Sequence, residues 1–199
     1  MADSLTSVPE GTGASRVAIL AGVGSGILGT ALFQALLSFS SASRVPDWLL
    51  MIIPVGLVFG VTMAWLGRRF GGLGPVWATL TILATPIIYF LAVVLAMQVY
   101  SLANDFGFRD ASITLACAGA FAGAAGAAGL LLITLMRRRR ALVGSAMVVV
   151  VSAVAGALTL AFGFTEQGGT LTGYFLIHTV WQAAFLSTFL FTLTSSQQR

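Results

Sequence analysis

Charged side chains are absent from six long stretches of the chain, about residues 17–40, 48–66, 75–100, 112–136, 141–163 and 172–194. Each is roughly 20 residues of mainly apolar side chains, enough for a helix to cross a hydrocarbon core of about 30 Å. The 10 arginines and 6 acids all fall between or outside these stretches. The pattern predicts an all-α, polytopic integral membrane protein, a bundle of six transmembrane helices within residues 16–195. Residues 1–15, MADSLTSVPEGTGAS, are polar and rich in Gly, Pro, Ser and Thr, and read as a disordered tail. Residues 196–199 form a short C-terminus.

Composition narrows the function classes. Hydrophobic residues make up 58% of the chain and charged residues 8%, against about a quarter charged in soluble domains. Six spans and short loops use nearly all 199 residues. No stretch remains for a soluble catalytic or nucleotide-binding domain, so any activity sits in the membrane, at its surface or on a partner.

The basic residues are all arginine and follow the topology. Arg16 precedes the first span, Arg68 and Arg69 follow the second, Arg137, Arg138, Arg139 and Arg140 follow the fourth, and Arg199 ends the chain. Arg44 and Arg109 fall in the alternate loops, with Asp47, Asp105, Asp110 and Glu166. Arginine is retained on the cytoplasmic side. The distribution therefore predicts both termini cytoplasmic, in a cell (inner or plasma) membrane. The net charge of +4 is a topology signal and gives no reason to expect nucleic acid as a partner. The small-residue run Ser41-Ala42-Ser43 would suit cleavage after the first span. Against that, the apolar stretch exceeds a signal core and only Arg16 leads it, which favours a retained helix.

Small residues supply the packing surfaces. Gly22 and Gly26 lie four apart on the first span, Gly56 and Gly60 on the second, and Gly119 and Gly123 on the fourth. This spacing strips one helix face to backbone and lets a neighbour approach closely. The fourth span, interleaving glycine and alanine, is expected to be the central packing helix, with a subunit interface as the rival reading. Pro86, mid-way along the third span, frees the carbonyl of Ile82 and kinks the helix; Thr85 could help to satisfy the broken ladder. Cys117 is the single cysteine and is expected to be a small packing residue.

Candidate chemistry is sparse. His178, Trp181 and Gln182 stand at i, i+3 and i+4 and share one α-helical face. On a rise of about 1.5 Å per residue, Gln34 reaches roughly the same depth as His178. These four residues form a candidate polar pocket in the outer leaflet, and the alternative is that His178 and Gln182 only bond across helices and lock the bundle. A metal site is not expected, since the spans offer one His, one Cys and no carboxylate. No cofactor is indicated. The expected function is non-enzymatic: a small transporter, or the membrane subunit of a larger transport assembly, handling a neutral or amphipathic solute. The alternatives are a membrane-embedded enzyme acting on a lipid or quinone, and a structural or regulatory membrane partner. Expected partners are the lipid bilayer and other membrane subunits, or further copies of the chain, held through the glycine faces.

Overall fold

The computed structural model describes residues 12–40, 47–107, 110–135, 142–165, 168–169 and 171–195. It is all-α apart from a two-residue antiparallel pairing of β1 (Phe164–Thr165) with β2 (Gly168–Gly169). The helices are α1 (Thr12–Ser40), α2 (Asp47–Gly71), α3 (Pro75–Asp105), α4 (Ala111–Leu135) and α5 (Leu142–Gly163). The sixth span is composite: α6 (Leu171–Leu176), a π-helical turn (Ile177–Trp181) and α7 (Gln182–Ser195). Six helical spans are long and apolar enough to cross a membrane. Large apolar side chains such as Leu20, Leu83, Ile87, Val150 and Phe162 face outward, exposed. In water such a surface would drive association, whereas lipid tails solvate it. The helix α1 begins at Thr12 and so takes in residues 12–15 of the expected tail. Arg137–Arg140, Arg44, Arg109, Arg199 and Glu166 lie outside the described residues.

Local chemistry explains the turns that are described. Arg68 and Arg69 occupy the last turn of α2, exposed, where cations favour the negative helix end. The N–H of Leu73 donates to the carbonyl of Gly67 at 2.9 Å, and Gly72, at φ 61°, reverses the chain. Pro75 then opens α3 with its φ already helical. The Asp110 carboxylate caps α4, accepting from the N–H groups of Ser112 at 2.9 Å and Ile113 at 3.2 Å.

Each helix packs on its sequence neighbour, and the sixth span closes the ring against α5 and α1. That span also reaches inward. Phe59 of α2, Tyr89 of α3 and Gly123 of α4 all meet its side chains. Within the apolar windows, 61% of α2 and 47% of the sixth span are buried, against 39% of α4. The expectation of α4 as the central helix is therefore corrected. Its small side chains let α5 come close on one flank, and the bulky sixth span fills the middle. Cys117 is likewise not a packing residue but is exposed on the outward face of α4.

Glycines set the helix spacing. A Cβ built on Gly22 would lie 2.5 Å from the Cα of Ala183, and one on Gly26 2.6 Å from that of Thr179. The pair on α2 meets the kink of α3. A Cβ on Gly56 would lie 2.6 Å from the Cα of Pro86, and one on Gly60 3.1 Å from the carbonyl oxygen of Ile82. The carbonyl freed by Pro86 thus faces bare glycine backbone, while the Thr85 hydroxyl donates to Thr81 instead, at 2.5 Å. Between α4 and α5 the contact is closest: Gly119 and Gly156 face each other, and Gly123 faces the carbonyl of Ser152.

The packing is uneven along the bundle. A large apolar cluster, including Met63, Leu66, Leu130, Phe185 and Phe189, fills the half near the α2–α3 turn. The other half holds the smaller cluster of Phe33, Met51, Ile52 and Val55. Gly119→Ala and Gly156→Ala are expected to destabilise the protein by about 1–3 kcal/mol through overpacking. Gly24, which has open space around it, should tolerate alanine within about 1 kcal/mol. Thermal unfolding in detergent distinguishes these outcomes; equal loss at all three positions would contradict the packing described.

Candidate functional site

The loosely packed half contains a cavity of about 510 Å³. Its walls come from α3, α4, the end of α5 and the start of the sixth span, with Met51 and Phe59 of α2 closing one side. Along α3 the lining runs from Thr85 to Tyr100, an axial length of about 22 Å at 1.5 Å per residue. Dividing the volume by that length gives a mean cross-section of roughly 23 Å². The space is a slot, wide enough for one extended chain or a flat ring and too narrow for a folded polar solute. It reaches the surface beside Met97, an exposed side chain on α3.

The slot exists because the residues along it are small. Ala118, Gly119, Ala122, Gly123 and Gly126 give α4 a nearly flat wall, faced by Ala92 and Ala96 of α3. Its deep end is aromatic. Trp181 packs against Phe59 and Phe185 at centroid distances of 5.6 Å each, and Phe185 stacks on Phe189. This column sits on one face of the sixth span and joins the slot to the large apolar cluster.

Polar groups at the wall are few. The hydroxyl of Tyr89 lies 2.7 Å from Nδ1 of His178, and the ring of Tyr174 stacks on His178 at 6.5 Å. His178 is almost fully buried. The hydroxyls of Thr85 and Thr159 donate to carbonyls of their own helices, the usual satisfaction of a threonine inside a span. Asp, Glu, Lys, Arg, Ser and Cys are all absent from the described lining.

Of the four residues singled out from the sequence, His178 and Trp181 line the slot, whereas Gln34 and Gln182 do not. Gln34 is half-buried on α1. Gln182 is buried and faces the same helix, its Oε1 accepting from the hydroxyl of Ser25 at 2.6 Å. The π turn accounts for the separation. One extra residue per turn rotates the downstream helix by about 100° relative to a straight α-helix. His178 and Gln182 therefore do not share the face that a spacing of four implies. The turn rests against Gly26, where a Cβ would lie 2.7 Å from the carbonyl oxygen of His178. A bare backbone on α1 thus accommodates the widened backbone of the sixth span.

Sequence reasoning missed Tyr89 and the pairing of Ser25. A tyrosine at mid-span, away from the interface where this residue usually sits, was the available signal for the first. Five buried polar atoms lack a protein partner: Thr30 Oγ1, Ser152 Oγ, Thr179 Oγ1, Trp181 Nε1 and Gln182 Nε2. Of the residues that carry them, only Trp181 lines the slot. No cluster of three or more His, Cys, Asp or Glu side chains suited to a metal occurs among the described residues.

No protein-family model, curated protein or solved structure matches the chain. Ser25→Ala strands the Oε1 of Gln182 and is expected to cost about 1–3 kcal/mol. Tyr89→Phe removes one bond to His178 and should cost about 0.6–2 kcal/mol. Because His178 is the only histidine, ¹⁵N-histidine NMR gives a single residue's signals. Tyr89→Phe should move the Nδ1 resonance, and Ser25→Ala should leave it in place.

Proposed function

We propose that the chain is a non-enzymatic membrane protein whose slot takes up a neutral or amphipathic solute, as a small transporter or the solute-holding membrane subunit of a larger transport assembly. The observation that carries this reading is the slot: about 510 Å³, within the usual range for ligand sites, and lined without a charged side chain. An unpaired ion in such a wall would lose its hydration for nothing in return. A neutral molecule with a long apolar portion loses little, because the wall resembles the lipid around it. The Tyr89–His178 pair is the one feature that favours an enzyme. It could relay a proton, yet the described lining places no serine, cysteine or carboxylate beside it.

The proposal includes orientation. Both termini lie in the cytoplasm of a cell whose inner or plasma membrane holds the protein. The slot then lies in the outer leaflet, since its lining includes Tyr100, near the end of α3 opposite the arginine-bearing α2–α3 turn.

Native mass spectrometry of protein purified in mild detergent tests the solute reading. Wild-type protein should retain about one neutral lipid-like molecule per chain. Ala122→Phe, which fills the slot, should lose it while staying folded. Retention of nothing by the wild type, or equal retention by the variant, would count against the slot as a binding site. For orientation, single cysteines are placed at Asn104 and Ser196 in a Cys117→Ala background. An impermeant thiol reagent applied outside intact cells should label the first and spare the second; the opposite pattern reverses the topology.

A further inference from the structure

Resting on the slot as a solute site, we propose that its occupant is a neutral long-chain lipid held by a carbonyl oxygen, which accepts a hydrogen bond from the indole N–H of Trp181. Trp181 is 8% exposed and lines the slot, and its Nε1 has no partner in the protein. An indole nitrogen can only donate. A buried donor without an acceptor leaves its desolvation uncompensated, so the group that completes this site is an acceptor.

The position of the donor is fixed by α4. Nε1 lies 3.2 Å from the point where a Gly123 side chain would begin, and Cζ2 lies 3.4 Å from the same point on Gly126. The long edge of the indole therefore runs along the glycine row. Missing side chains at Gly123 and Gly126, both of which line the slot, leave room beside that edge. The other orphaned hydroxyls, on Thr30, Thr179 and Ser152, belong to residues outside the lining.

The rest of the wall selects the class of acceptor. With no cation in the described lining, a carboxylate or phosphate would be buried without a countercharge. A neutral carbonyl meets the donor at no such cost. The narrow apolar slot takes the hydrocarbon portion. Hydrocarbon alone gives little preference for the slot over the bilayer, because lipid tails are equally apolar. Selection thus falls on the single polar contact. A carbonyl of this kind occurs on a quinone ring and in an acyl ester, and the test separates the two.

Three probes are titrated into wild-type protein in detergent: a decyl-substituted benzoquinone and 1,2-dioctanoylglycerol, each ¹³C-labelled at its carbonyls, and dodecane, which has none. Infrared difference spectra read the carbonyl stretch of bound probe. The expected result is that one carbonyl probe binds more tightly than dodecane, with a labelled band moved to lower wavenumber. The probe that shows this identifies the source. In Trp181→Phe that shift should vanish and affinity for the probe should fall about 3- to 10-fold, with dodecane unaffected. An unshifted band in the wild type overturns the proposal whether or not the variant folds. So does a shift that persists in Trp181→Phe, which would assign the donor to another group or a trapped water. In either case binding of the probes leaves the broader solute reading standing. Failure of all three probes to bind removes both.

Discussion

The structure depends on how closely helix backbones approach where side chains are missing. In a bilayer, apolar contact between helices gains little over contact with lipid, so close packing has to supply the cohesion. Gly22 and Gly26 bring α1 onto the sixth span, Gly56 and Gly60 bring α2 onto the kink of α3, and Gly119 and Gly156 bring α4 onto α5. A methyl group at the closest of these points would meet backbone, which cannot rotate away as a side chain can. The helix spacing is therefore set by glycine positions along the sequence.

The same small residues produce a solid half and a hollow half. Where the sixth span offers Phe185 and Phe189, bulk fills the space between α2, α4 and α5. Toward the α3–α4 connection the facing residues are alanine and glycine, and nothing large enough reaches across. The slot is the space left when close helix approach on one flank of α4 is not matched by bulk on the other. Its polar features stem from the π turn, which carries His178 and places Trp181 toward α4 and Gln182 toward α1.

Much of the fold was legible because membrane spans are written in length and apolarity. The charge-free stretches match helices to within a few residues, and glycines four apart mark faces that meet other backbones. The site was less legible. A π turn leaves no periodic signature, so the spacing of His178 and Gln182 suggested a shared face that the backbone register breaks. Gln34 was placed by depth alone, and depth does not say which way a helix is rotated. The centrality of α4 was inferred from its small side chains. Small size equally allows a helix to lie at the side while a bulkier one, carrying Trp181 and Phe185, takes the middle. A void cannot be read from residues one at a time, because it depends on which small faces oppose each other.

The glycine face of α1 seats the π turn and, through it, orients the side chains at the slot. The single histidine reports on that seat. ¹⁵N spectra of wild-type protein, Gly24→Ala and Gly26→Ala measure it directly. Gly24 has open space beside it, whereas a methyl on Gly26 would strike the backbone at His178 and Thr179. Both ring nitrogens of His178 should keep their resonances in Gly24→Ala and shift in Gly26→Ala. A histidine signal left unmoved by Gly26→Ala, in protein that remains folded, would contradict this account of the seat.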